Sequence, residues 1–73
     1  MKIFNERLKL LRKERNMKQA DAASALGIPM RTYQRLETDG SKTYLATAIL
    51  VAAYYNVSVD WLVGRTDNRE INK

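Results

Sequence analysis

The side chains best suited to recognition chemistry lie in one short stretch, ALGIPMRTYQRLE, residues 25–37. Arg31 and Arg35 each carry a planar fork of donors that can bind two acceptors at once, such as O6 and N7 of guanine. Gln34 can bridge an adenine in a similar way, and Met30 can pack on a thymine methyl group. On a helix these four side chains would share one outward side, so the elements around the stretch decide whether they can act together.

Composition excludes several other kinds of chemistry. The 73 residues include no Cys and no His, so a disulfide, a thiolate or imidazole metal site and a Ser-His triad cannot form. We therefore expect no enzymatic activity, no cofactor and no small-molecule substrate. Thirteen Lys and Arg against eight acidic residues give a net charge of +5 and a pI of about 9.8, which favours a nucleic-acid partner. A basic surface can also serve solubility alone, so charge is only modest support.

Membrane insertion and export are not expected. The longest apolar stretch, LATAILVAAYY at residues 45–55, is much shorter than the roughly 20 residues of a membrane-spanning helix. The first residues, MKIFNERLK, are charged and lack the apolar core of a signal peptide. The sequence therefore predicts a cytoplasmic protein.

The spacing of apolar residues predicts an all-helical chain. Phe4, Leu8 and Leu11 form one buried stripe of a first helix, with Asn5 as its N-cap and Asn16 as its left-handed end. A second helix is expected from about Lys18 to Leu26 and a third after Gly27 and Pro29, with Tyr33 and Leu36 facing inward. Asp39 and Gly40 read as turn residues of the loop that follows.

Two more helices complete the predicted chain. The fourth runs from about Tyr44 to Tyr55, with Asn56 as a left-handed cap, and the fifth, VDWLV, starts after the cap Ser58 and stops at Gly64. The inner side of the fourth helix is expected to be Leu45, Ala48, Ile49, Ala52 and Tyr55. Residues 1–64 then form one domain, and residues 65–73 a polar, frayed tail.

The second and third helices are separated by a turn short enough to be a helix-turn-helix. Such a pair projects the exposed N-terminal residues of its second helix into the major groove of DNA. Many small helical bundles contain a similar pair with a merely solvated outer face, so the pair alone is a moderate signal. The order of all five helices strengthens it.

At this point the sequence resembles the phage-repressor-like helix-turn-helix family, of the Cro and xenobiotic-response-element type, from Phe4 to Gly64. The match is carried by RLKLLRKERNMKQADAASALGI, by Tyr33, Leu36 and Glu37, and by NVSVDWLVG. The resemblance implies a compact five-helix domain like that of lambda repressor. It also implies a transcriptional repressor that binds a palindromic operator in double-stranded DNA as a homodimer.

The resemblance also implies roles for individual residues. Met30, Arg31 and Arg35 match the base-contacting positions, with Gln34 beside them. Arg12 and Glu37 match a pair that bridges the first helix to the end of the third. The residues implied to contact phosphate are Gln19, Ser41, Lys42 and Thr43. Lys18 stands where the family usually has a Ser, Thr or Asn cap, and it adds a cation that we expect to contact phosphate as well.

The fourth helix is apolar on both sides, which predicts a partner chain. Its outward positions, Ala46, Leu50, Ala53 and Tyr54, recur at helical spacing and need cover that a monomer of this size does not supply. We expect them to form the homodimer interface. The alternatives are that the tail folds over this side, or that a few exposed alanines are tolerated.

A second function remains open on the sequence alone. The same fold can serve as a protein-binding module of the antitoxin or anti-repressor type. The cations on the outer side of the third helix favour DNA, whereas an acidic or apolar surface there would have favoured a protein.

Overall fold

The computed structural model describes residues 2–38 and 43–71, and within these ranges it contains five helices and no strand. The helices are α1 (Lys2–Glu14), α2 (Gln19–Leu26), α3 (Met30–Thr38), α4 (Leu45–Tyr55) and α5 (Val59–Leu62). The predicted all-helical class, with a helix-turn-helix at α2 and α3, is therefore confirmed. No helix in the described ranges has both the length and the apolar character needed to cross a membrane. The predicted turn at Asp39 and Gly40 lies outside these ranges.

Three helices end at the left-handed residues that the sequence predicts. Asn16, Gly27 and Asn56 have φ angles of 55°, 70° and 56°, a region that Gly and Asn enter more readily than other residues. At the end of α2 the N–H of Ile28 donates to the carbonyl of Ala23 at 3.0 Å, which satisfies a carbonyl that the helix itself leaves free. The chain therefore reverses tightly after α2.

The predicted caps at helix starts have different outcomes. The hydroxyl of Ser58 accepts a hydrogen bond from the N–H of Trp61 at 3.2 Å, so the cap of α5 is confirmed. The prediction that Asn5 caps α1 is wrong, because α1 already begins at Lys2. Asn5 is instead buried inside the helix and donates through Nδ2 to the carbonyl of Leu36 in the last turn of α3. That carbonyl has no partner within its own helix, so the bond joins α1 to α3.

All five helices contribute to one core, in which α1 packs against α3 and α5, α2 packs against α3 and α4, and α4 packs against α5. Tyr33, Phe4 and Leu8 are fully buried, and small residues such as Ala22 and Ala48 let the helices approach closely. The buried apolar residues are Phe4, Leu8, Leu11, Ala22, Ala23, Leu26, Tyr33, Leu36, Ala48, Val51, Ala52, Tyr55, Val57, Trp61 and Leu62. This core fixes which side of α3 faces outward.

The rotation of α4 about its axis differs from the prediction. Leu45 and Ile49 were expected in the core but are 69% and 50% exposed, whereas Val51 is fully buried. The helix is apolar all round, so no polar stripe indicates its outer side, and contact with the neighbouring helices decides its rotation. We call the exposed apolar side the α4 face: Leu45, Ala46, Ile49, Leu50, Ala53 and Tyr54.

The segment after α5 is not frayed as predicted. The carbonyl of Arg69 accepts a hydrogen bond from the N–H of Ser58 at 2.9 Å, and its guanidinium binds both carboxylate oxygens of Glu14 at 2.8 and 3.0 Å. The same guanidinium lies 5.0 Å from the ring centre of Trp61. These contacts hold residues 65–71 against α1 and α5.

Candidate nucleic-acid interface

The turn between α2 and α3 consists of Gly27, Ile28 and Pro29. Gly27 supplies the left-handed backbone, and the half-buried Ile28 packs against the core. The carbonyl of Pro29 accepts a hydrogen bond from the N–H of Tyr33 at 2.9 Å and so starts α3. The first turn of α3 follows at once, and its N–H groups have no partner inside the helix.

The outer side of α3 is the polar surface that the sequence predicts. Met30 is 38% exposed, and Arg31, Gln34 and Arg35 are all exposed. The opposite side, Tyr33 in particular, is buried, which fixes the rotation of the helix. Arg31 and Arg35 pair with no carboxylate in residues 2–38 and 43–71.

The start of α2 lies beside the end of α3. Lys18 is exposed and precedes the helix, and its N–H donates to the carboxylate of Asp21 at 3.0 Å, which is one half of a capping box. The other half is missing, because a lysine side chain has no acceptor for the N–H groups of the first turn. Gln19 is half-buried and donates through Nε2 to Oε1 of Glu37 at 3.1 Å. Gln19 therefore fixes the start of α2 relative to the end of α3.

Glu37 is the centre of a buried polar network. Arg12 donates to it through Nε at 2.7 Å and Nη2 at 3.1 Å, and Nη1 of Arg12 donates to the carbonyl of Met17 at 2.9 Å. Burial alone would raise the pKa of Glu37, but the hydrogen bonds from Arg12 and Gln19 stabilise its carboxylate, and the pKa is lowered overall. The hydrogen bond to Glu37 also raises the pKa of Arg12, although partial burial opposes it. The ion pair thus joins α1, α2 and α3 behind the outer side of α3.

Tyr33 belongs to the same buried region, although the sequence indicated only that its ring is apolar and inward. Its hydroxyl is enclosed and has no hydrogen-bond partner of good geometry among the described residues. Burial raises the pKa of this phenol, and the nearby charge of Glu37 raises it further. Tyr33 is therefore a neutral group that supports α3 from behind.

The predicted phosphate contacts after α3 are only partly described. Ser41 and Lys42 lie outside the described residues. Thr43 is half-buried, and its hydroxyl is enclosed without a hydrogen-bond partner in the ranges 2–38 and 43–71. A phosphate contact by this hydroxyl would require the side chain to turn outward, so the contact stays a prediction.

The residues predicted for the dimer interface all lie on the α4 face. Leu50 is 42% exposed and Tyr54 is 37% exposed, while Ala46 and Ala53 are exposed between them. Tyr54 is also covered in part by Arg15, whose guanidinium lies 5.3 Å from the ring centre.

The described residues offer no candidate metal site. Their carboxylates do not gather into a group of three or more that could hold a metal ion.

The comparisons with known proteins agree with this geometry. A family model described as helix-turn-helix matches residues 8–62, which contain the end of α1 and all of α2 to α5. The chain is also 32% identical over 66 residues to YobD of Bacillus subtilis (strain 168), an uncharacterized HTH-type transcriptional regulator. This match covers 90% of the chain but 59% of the relative, so the chain spans about three-fifths of that protein's length. The chain belongs to the helix-turn-helix family, of the xenobiotic-response-element type that its sequence resembles.

Proposed function

We propose that this protein is a sequence-specific transcriptional regulator, acting as a repressor, that binds double-stranded DNA with α3 in the major groove. The observation that carries the proposal is the outer side of α3. Arg31, Gln34 and Arg35 are exposed there beside a free helix N-terminus, on a helix whose opposite side is locked into the core. The similarity to a transcriptional regulator from Bacillus subtilis supports it.

Each exposed side chain of α3 has a distinct chemistry toward DNA. Arg31 and Arg35 can each donate two hydrogen bonds to guanine O6 and N7, and Gln34 can bond both N6 and N7 of adenine. Met30 lacks a donor and contributes apolar contact with a thymine methyl group. Base reading therefore depends on two arginines and one amide.

Phosphate contacts would come from the start of α2 and from the chain after α3. Lys18 is exposed next to the free N–H groups of α2, a combination that favours an anion. The amide nitrogen of Gln19 carries two hydrogens, so the bond to Glu37 leaves one for a phosphate oxygen. We propose the same role for Ser41, Lys42 and Thr43 on the basis of the family resemblance.

We also propose that the protein acts as a homodimer through the α4 face. The face contains no charged side chain, whereas the chain as a whole carries +5, so two copies meet least repulsion there. A two-fold pair of this kind would present two copies of α3 about 34 Å apart, one turn of DNA, and would read a palindromic operator.

Selection of binding sites from random duplex DNA by the purified protein tests the proposal. We expect a palindromic consensus whose positions change in Arg31→Ala and Arg35→Ala. Arg65→Ala is the matched control, because Arg65 is an exposed arginine of the segment after α5, and it should leave the consensus unaltered. Recovery of no consensus by the wild type would contradict DNA reading and favour the protein-binding module.

A further inference from the structure

The segment after α5 is built as a short, ordered strap. Gly64 turns the chain with φ at 88°, and the N–H of Arg65 donates to the carbonyl of Asp60 at 2.7 Å. Two local bonds then fold the segment on itself: the N–H of Asn68 donates to Oγ1 of Thr66 at 3.2 Å, and the N–H of Glu70 donates to Oδ1 of Asn68 at 3.0 Å. Such side-chain to backbone bonds limit the conformations of a loop.

Arg69 attaches this strap to the rest of the protein. We call its three contacts the Arg69 clasp: the paired bonds to Glu14 on α1, the backbone bond from Ser58, and the stacking over Trp61. An exposed ion pair alone contributes little. Here the pair acts together with a backbone hydrogen bond and a cation–π contact. Arg7 of α1 also holds the start of the strap, because its Nη1 donates to the carbonyl of Thr66 at 3.1 Å and its Nη2 donates to Asp67 at 3.5 Å. The Arg69 clasp is the attachment nearest to Ile71.

Ile71 follows the clasp by two residues and reaches α4. It lines an open groove of about 390 Å³ together with Ile49 and Ala53 of the α4 face and with Val57 and Val59. Ile71 and Ile49 are 48% and 50% exposed, so the groove is apolar but unfilled. Asp60 also lines it and lies 4.0 Å from Arg65. The strap therefore extends the α4 face and does not cover it.

We propose that the Arg69 clasp positions Ile71 so that this side chain joins the α4 face in contacting a second copy of this chain. The proposal rests on the homodimer proposed above and adds a part of the interface that lies outside the helix-turn-helix. The α4 face carries no charged side chain, although the chain has a net charge of +5, so a second copy of this chain meets less electrostatic repulsion there than on the basic parts of the surface. Holding Ile71 in place before association lowers the entropic cost of ordering it.

Sedimentation equilibrium of the full chain tests the role of Ile71. We expect Ile71→Ser to raise the dimer dissociation constant by ~10-fold or more, since both copies lose an apolar contact. Arg69→Ala should raise it by ~3- to 10-fold, because Ile71 is then no longer held in advance. Arg65→Ala removes the same charge from the same strap without touching the clasp, and its dissociation constant should match the wild type.

Two further measurements separate positioning from general stability. In the Leu50→Glu background, which we expect to be monomeric, Ile71→Ser should leave the melting temperature nearly unchanged, since Ile71 is half exposed. The exchanged pair Glu14→Arg with Arg69→Glu restores the ion pair but not the contact of a cation with Trp61, so it should recover part of the dimerisation that Arg69→Ala loses.

The outcomes distinguish this inference from the proposed function. If Leu50→Glu abolishes the dimer while Ile71→Ser and Arg69→Ala dimerise like the wild type, the clasp has no part in the interface and the homodimer stands. If Leu50→Glu has no effect on the dimer, or if the wild type is monomeric, both proposals are wrong. Weaker dimerisation of Ile71→Ser and Arg69→Ala, with Arg65→Ala unaffected, supports the inference.

Discussion

Glu37 has more influence than its position in the last turn of α3 suggests. The residue is 3% exposed, and its carboxylate accepts hydrogen bonds from Arg12 and Gln19, which belong to two other helices. A buried charge without partners would be strongly unfavourable. With these partners the pKa of Glu37 is lowered, so the stability it contributes is complete above the ordinary Glu pKa of about 4.3 and is lost as pH falls through the folded-state pKa.

Glu37→Gln should therefore reduce the loss of stability in acid. The amide does not titrate, so the free energy of unfolding, measured with urea from about pH 7 to about pH 3, should fall less steeply than in the wild type. At neutral pH the variant should be less stable by about 1.5–3 kcal/mol, because Arg12 loses a charged partner. Glu14→Gln, which neutralises an exposed partner of Arg69, should alter the slope less. Equal slopes for Glu37→Gln and the wild type would mean that the ion pair does not contribute to the loss of stability in acid.

The exposed cations near α3 should divide into two functional kinds. Arg31→Ala and Arg35→Ala should each weaken binding to the selected site by about 1–3 kcal/mol and relax selectivity at a base pair. Lys18→Ala and Lys42→Ala should weaken binding to all sequences alike and reduce the slope of log affinity against log salt by about one. Fluorescence anisotropy with specific and scrambled duplexes measures both effects. Identical losses on both duplexes for the two arginine variants would mean that α3 does not read bases.

At the scale of an element, two glycines in the left-handed region provide a matched comparison. Gly27 has φ at 70° and open space where a Cβ would lie, whereas a Cβ on Gly64, with φ at 88°, would lie 2.9 Å from Cγ2 of Ile3. Gly27→Ala should cost about 1–2 kcal/mol from backbone strain alone. Gly64→Ala should cost about 1 kcal/mol more, because the partly exposed side chain of Ile3 must also shift.

The double variant Gly64→Ala with Ile3→Ala tests that explanation. Removing the Ile3 side chain eliminates the close contact but not the strain, so urea denaturation should show a favourable coupling between the two substitutions. Additive losses would place the cost of Gly64→Ala in the backbone alone.

The helix ends and the buried side of α3 were predictable from sequence because they depend on local chemistry. Asn16, Gly27 and Asn56 each stop a helix through their own backbone preference. The rotation of α4 was not predictable, since Leu45 and Val51 are both apolar and only packing distinguishes the exposed one from the buried one. Periodicity carries no information where every side of a helix has the same polarity.

The sequence also did not predict the contacts that polar side chains make between elements. Asn5 is a good N-cap residue by type, but its amide finds a carbonyl on α3, far along the chain. Arg69 belongs to a segment that reads as polar and frayed, yet its partners Glu14 and Ser58 lie on separate elements. The buried hydroxyl of Tyr33 gives no signal in the sequence at all. These contacts depend on the assembled fold, whereas spacing reports only on neighbours within one helix.

At the scale of the whole molecule, the small size of the domain makes its exposed α4 face important for stability. A domain of 73 residues buries only about 60% of the surface of its unfolded chain, so its stability margin is small. Side chains such as Leu50 and Ile49 remain half exposed and would add to stability if a second copy covered them. Association of two copies would then stabilise the fold and also bring together the two α3 helices that read DNA.

The spacing between half-sites tests that assembly directly. A dimer joined through the α4 face holds its two α3 helices at a fixed separation, so it should bind best when half-site centres lie about one turn of DNA apart. Inserting about half a turn places the second half-site on the opposite side of the duplex, and affinity should fall by ~100-fold or more, toward that of a single half-site, because the gain from two linked contacts is lost. Leu50→Glu should bind both duplexes alike at the half-site level, while Arg65→Ala should respond to the insertion like the wild type. Equal affinity of the wild type for both spacings would mean that its copies bind independently, and that the α4 face does not set the separation of the two recognition helices.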